Sequence, residues 1–277
     1  MKEYFLANCK ETNGETTVEA NVQISEEQVK DIDNWFSYIS YYHTCRSAWK
    51  MVLESSEDLK KFLSDMKNDK SGHDQLEIDN ILITGNKLLI NYLSFIKNFV
   101  DLISNTISNN QKDKLTDFQK LDSDLYDTFF GYRFLKRMRN YVTHSSMPMT
   151  SITDSAEKGI SMVCKRKTLL KFKSWSTVKK EIEKLNDDIY VEPYIDESVI
   201  AINTLYLYAL ELIIDEVIFS NVALHDLCSK HNIICPTIFV YDTITGEKKF
   251  KHIPIYLMNE YLNDIEKHPN INIQFES

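Results

Sequence analysis

The chain is poor in the two residues that turn a backbone sharply. It holds six glycines and five prolines in 277 residues, about 4% where a globular chain averages about 12%. All-β sandwiches and barrels need such residues at their tight turns. The shortage therefore argues against them and for long helices with few tight turns, and it excludes collagen-like and glycine-loop architectures. Cysteine motifs are missing too. Cys9, Cys45, Cys164, Cys228 and Cys235 are odd in number and scattered, with no CxxC. That excludes a zinc knuckle or a paired redox motif and predicts reduced thiols in a cytoplasmic setting. Long apolar runs are also absent. The most apolar stretch, 200–222, is interrupted by Asn203, Glu211, Asp215 and Glu216, and a membrane span would not carry those carboxylates. The opening MKEYFLANCKETNGE has no apolar core of the kind a secretory signal needs.

What is present is a globular composition, 43% apolar and 26% charged, with helical spacing over most of the chain. KEYFLA reads as a short strand or arm, followed by a polar loop to residue 24. Ser25 before Glu26 and Glu27 is a helix start, with a capping hydroxyl and acids in the first turn. Val29, Ile32, Phe36, Ile39, Tyr42 and Cys45 then recur at helical intervals, and a second, shorter helix covers 56–66. A broad apolar face from Leu88 to Ile103 predicts a long helix starting near Ile78 or Asn86 and ending near Ile107. Another helix spans about 122–145, stopped by Pro148. Two short runs at 149–153 and 160–164, around SAEKG, predict a β-hairpin. A helix follows at 174–185, and the longest helix, about 197–230, comes after Pro193. The end of the chain, with TIFVY, TGEKK, a helix near 256–265 and INIQF, predicts a small α/β element. The expected organisation is a helical domain over 1–234, with core helices at about 26–145 and 197–230 and a basic hairpin and helix at about 149–186. An appendage follows at 235–277.

Charge is unevenly placed. The net charge is −9, yet residues 131–180 carry twelve Lys and Arg against two acids, Asp154 and Glu157. A basic segment in an acidic body is the footprint of a phosphate-bearing partner, or else a solvated face. Inside this segment, at the end of a predicted helix, stands Arg137-Met138-Arg139-Asn140-Tyr141-Val142-Thr143-His144. Arg139 and His144 have four residues between them, the first being Asn140.

These residue types suit cleavage of RNA by its own 2′-hydroxyl. That reaction needs a proton taken from the attacking oxygen, a proton given to the leaving 5′-oxygen, and positive charge on the phosphorane. An imidazole exchanges protons near neutral pH, and a guanidinium grips phosphate with a planar fork. No metal or other cofactor is then required. Asn140 and His144 are four apart on a helix and share a face. Arg139 and His144 are five apart, about 140° around an ideal helix, whereas Arg137 lies nearly on the stripe of His144. The polar neighbour favours Arg139 as the motif arginine, and the stripe favours Arg137.

The Arg139–His144 spacing, with Asn140 after the arginine, resembles the Arg-x4–6-His motif of the HEPN superfamily, the higher eukaryotes and prokaryotes nucleotide-binding domains. Asn86-Lys87-Leu88-Leu89-Ile90-Asn91-Tyr92-Leu93 and Tyr132-Arg133-Phe134-Leu135 add to the likeness, which covers about residues 26–145. The resemblance implies a mainly α fold: a HEPN-like bundle with the hairpin inserted and the α/β element appended. It also implies a metal-independent endoribonuclease of the toxin or antiviral-defence kind, with RNA as substrate and an antitoxin or defence partner. Arg139, His144 and Asn140 would be catalytic; Arg133, Lys136, Arg137, Lys165, Arg166 and Lys167 would hold RNA. One histidine per motif, for a reaction needing both a base and an acid, points to a homodimer sharing one site. Two other readings stay open: a HEPN-like module without catalysis that binds nucleotide or protein, and a nucleic-acid-binding regulator using residues 131–180.

Overall fold

The computed structural model describes residues 2–12, 15–69, 74–155, 159–269 and 271. In chain order its elements are β1 (Lys2–Thr12), β2 (Glu15–Ile24), α1 (Glu26–Asn68), α2 (Gln75–Asn110), α3 (Leu115–Thr128), α4 (Phe130–His144), β3 (Ser151–Ser155), β4 (Gly159–Lys165), α5 (Arg166–Leu169), α6 (Lys179–Ile182), β5 (Asp188–Ile189), α7 (Glu192–Glu211), α8 (Ile214–Lys230), β6 (Pro236–Asp242), β7 (Lys248–His252) and α9 (Tyr256–Ile265). The protein is mainly helical, and no described helix is long and apolar enough to cross a membrane.

The chain divides into two compact units, one of residues 1–44 and 210–277, the other of residues 45–209. The first unit holds a four-stranded sheet in the order β2-β1-β6-β7. Each neighbouring pair is antiparallel, with Leu6 opposite Ile238 and Phe239 opposite Phe250. Residues 235–265 therefore do not form an appendage of their own: their first strand is the ladder partner of the N-terminal strand. The polar loop expected before residue 24 is strand β2. Tyr42 and Tyr261 meet edge to face at 5.3 Å, and the Tyr42 hydroxyl donates to Asp264 at 3.0 Å. The expected INIQF strand falls almost wholly outside the described residues.

The second unit is helical, with a small sheet in the order β3-β4-β5. The expected hairpin is present as β3–β4, Ser151 facing Val163 and Ser155 facing Gly159; its turn, 156–158, lies outside the described residues. Within this unit Trp49 stacks on Tyr206 at 4.5 Å and donates from Nε1 to Asn203 at 2.7 Å.

Several helix boundaries differ from expectation, each for a local reason. The two helices expected between 26 and 66 are one, α1. Ser55 and Ser56 donate their hydroxyls back to the carbonyls of Val52 and Leu53 at 2.9 and 2.7 Å, so neither serine competes for a turn. At the N-termini of α1 and α2, Ser25 with Gln28 and Asp74 with Glu77 exchange reciprocal side-chain to backbone bonds. The helix expected over 122–145 is broken at Phe129, whose backbone is extended. The long helix expected at 197–230 starts earlier, with Pro193 in its first turn where a missing N–H is harmless, and breaks before Ile214. The helix expected at 174–185 shrinks to α6. Ahead of it Trp175 is fully buried, donates to the Leu169 carbonyl at 2.6 Å and stacks with Phe134 and Tyr141. Sealing that indole outweighs helical continuity, and Ser176 takes φ 54°.

Gly131 marks where α4 passes closest to α7. A Cβ there would lie 2.7 Å from the Tyr194 Cα and 2.8 Å from its carbonyl oxygen, both backbone atoms that cannot swing aside. Gly131→Ala should therefore lower stability by about 1–3 kcal/mol, despite alanine's better helix propensity. Urea unfolding checks it; a stability equal to or above wild type would contradict the packing.

Candidate functional site

Helix α4 carries its apolar residues on one face. Tyr132, Phe134, Leu135, Met138 and Tyr141 are buried, while Arg133, Lys136, Arg137, Arg139 and Asn140 lie half-buried along the other side. This basic side forms one wall of a cleft of about 380 Å³. Lys136, Arg137, Arg139 and Asn140 come from α4; Gln119, Asp122, Ser123 and Tyr126 from α3; Leu93, Ile96 and Lys97 from α2. The site thus has four cations and one carboxylate around amide and hydroxyl groups, which suits an oxyanion-rich ligand.

The cations are not equivalent. Lys97 pairs with Asp101 one turn on. Lys136 is held by both oxygens of Asp122, at 2.9 and 2.8 Å, and the same carboxylate accepts from the Tyr132 hydroxyl at 2.7 Å. Burial first, and then the charge of Asp122, pushes the Tyr132 hydroxyl well above the ordinary tyrosine range, so it stays a donor. Arg137 donates from Nε to the Tyr126 hydroxyl at 2.9 Å and lies 5.8 Å from that ring's centre. It is oriented but keeps its charge unpaired. The Arg139 guanidinium has no hydrogen bond or ion pair with any described residue and opens into the cleft.

Arg133 has a different place. It binds Glu181 through Nη2 at 2.7 Å and Nε at 3.2 Å, and Nη1 donates to the carbonyls of Tyr126 and Asp127 at 2.5 and 2.9 Å. It is the C-terminal cap of α3. Lys165 pairs with Asp188. Arg166 pairs with Asp187 at 2.6 Å and donates to the carbonyls of Glu183 and Leu185. Much of the segment's excess charge is therefore met by the acids that follow it at 181–188. Lys167 is exposed and unpaired among the described residues.

His144 ends α4 and is exposed. It does not line the cleft that Arg139 and Asn140 line, and no hydrogen bond joins it to Asn140. The offset follows from the helix: five residues rotate the imidazole well away from the guanidinium. Beyond His144 the chain is tied back by Asn86, which donates to the Met149 carbonyl at 2.7 Å and accepts from the Met149 N–H at 3.1 Å. An apolar groove beside this tie is flanked by Ile83 and Met147, both more than half exposed.

The sequence pointed to α4 but missed Lys97, Gln119, Ser123 and Tyr126. No motif links them; the only signal is that α3 keeps a polar, aromatic-tipped face toward α4. Comparison with family models, curated proteins and solved structures finds no match to the chain.

A cleft with two unpaired guanidinium groups should hold a polyanion. Inorganic tripolyphosphate should raise Tm by about 2–4 °C at saturating concentration. Arg139→Ala should abolish the rise, and Lys165→Ala, whose lysine already has an acid, should keep it. Equal shifts in all three proteins would place the anion elsewhere.

Proposed function

We propose that the protein is a metal-independent endoribonuclease of the HEPN type that takes the RNA backbone at the α2–α3–α4 cleft. One observation carries this reading: the side chains of Arg139 and Asn140 open into a cationic cleft with no partner among the described residues, and an exposed His144, likewise without a partner among them, stands on the same helix just over a turn beyond. Arg139 and Arg137 hold the oxygens of the scissile phosphate. The 2′-oxygen attacks phosphorus, its proton passes to an imidazole, and the bond to the 5′-oxygen breaks as that oxygen takes a proton. The products are a 2′,3′-cyclic phosphate and a free 5′-hydroxyl. Because His144 lies outside the cleft of its own chain, the acid and the base come from two copies paired about a twofold axis.

That same offset favours a second reading, an anion-binding module without cleavage. The two separate on His144→Ala. For the nuclease, the substitution lowers cleavage by a factor of about 10²–10⁴, leaves RNA affinity unchanged and relieves any toxicity of expression. Wild-type cleavage persists in EDTA and leaves cyclic-phosphate ends. Loss of cleavage in EDTA, restored by Mg²⁺, would overturn the proposed chemistry; the absence of cleavage under any condition, with RNA affinity retained, leaves the binding module.

Subunit mixing tests the shared site. When inactive His144→Ala chains are mixed with wild type, a composite site makes the heterodimer's activity depart from simple dilution of the wild-type chains. An enzyme that sediments as a monomer and cuts at full rate contradicts the pairing.

A further inference from the structure

The sheet of the first unit has two unlike faces. Leu6 and Ile238 are buried on one. In register with them, Lys251 lies 3.7 Å from the centre of the Phe36 ring and pairs with Asp33, both on α1. The opposite face presents Phe5, Phe239 and Phe250 directly across three neighbouring strands. Phe5 and Phe239 are 5.9 Å apart with planes tilted by 33°, and Phe239 and Phe250 stack at 5.0 Å and 27°. Phe5 and Phe239 are half-buried, and Phe250 is 55% exposed. Among the described residues no further strand pairs with β7, so there the stack ends at the sheet edge with Phe250.

The strand that carries this last ring is basic. Lys248, Lys249, Lys251 and His252 surround Phe250, and all five residues are exposed. Glu247 meets Lys249 at 3.1 Å and Asp33 meets Lys251, leaving Lys248 unpaired among the described residues. Two positions along on the aromatic face, Lys248 is in register with Tyr241, which faces Glu3 on its other side.

We propose that this edge binds single-stranded nucleic acid, an unpaired base continuing the Phe5–Phe239–Phe250 stack while Lys248, on the same face, takes a flanking phosphate. A base has the flat π-surface that an aromatic stack accepts, and the phosphate beside it matches the lysine. A duplex keeps its bases inside and cannot offer one. The inference concerns a different compact unit from the cleft and does not rest on the cleavage reading.

The test uses the full-length protein and a fluorescein-labelled 2′-O-methyl oligouridine 12-mer, which has no 2′-hydroxyl for self-attack. A deoxythymidine 12-mer and a 12-base-pair duplex serve as further probes, read by fluorescence anisotropy. Phe250→Ala should weaken single-strand binding roughly tenfold, and Phe250→Leu nearly as much, because it keeps apolar area but loses the ring. Phe250→Tyr should bind as wild type does. Lys248→Glu should weaken binding and flatten its salt dependence. Repeating Phe250→Ala with Arg139→Ala separates the sites: the same fold-loss in that background supports the sheet edge whatever the cleft does. A drop with either single strand supports the proposal. Unchanged affinity of Phe250→Ala for both, equal losses on the duplex, or no measurable wild-type binding to single strands would overturn it.

Discussion

The close approach of Gly131 to the backbone of Tyr194 sets the geometry of the helical unit. With no side chain between them, the Gly131 N–H donates to Glu197 at 2.6 Å and α4 is held against α7. That position cannot be reached by a straight continuation of α3, so the chain extends at Phe129 and starts again. The carbonyls freed at the end of α3 are taken by Arg133, whose guanidinium is fixed from the other side by Glu181. The cleft exists because α3 and α4 are two helices rather than one. The arginine that caps the first is thereby withdrawn from ligand binding.

Charge follows the same economy. A run of cations in the sequence says nothing about which of them are already met. In the fold, Arg133, Lys136, Lys165 and Arg166 each face a carboxylate, and these pairs position elements more than they stabilise them, since exposed ion pairs contribute little. Arg137 and Arg139 differ: both line the cleft, and neither guanidinium pairs with a carboxylate among the described residues. The aromatic edge in the other unit has a comparable logic. A sheet edge needs charge to discourage pairing with another chain, and the lysines of β7 supply it beside a ring that, among the described residues, has no stacking partner on its outer face.

Parts of this architecture were legible and passed over. Val18, Ala20, Val22 and Ile24 alternate with polar residues, the period of a half-buried strand, and Asn13-Gly14 between two such runs is a hairpin signal. The joining of β1 and β6 was not legible, because it brings together residues 228 to 240 positions apart and no local pattern encodes the partner.

The sequence by itself determined that the chain is mainly helical, that α2 and α4 each bury one apolar face, that a hairpin follows α4, and that the basic residues gather on α4 and just after it. These are local properties, set by spacing along a helix or strand and by the capping chemistry of Ser25 and Asp74. Only the tertiary structure decided that α3 and α4 part at Phe129, that Arg139 and Asn140 share a cleft with Lys97, Gln119 and Tyr126, and that His144 stands outside it. It alone also set Phe5, Phe239 and Phe250 in one stack. Each of those outcomes depends on a contact between distant segments: a backbone approach at Gly131, an ion pair at Glu181, or a strand register. Its energy cannot be read until both partners are in place.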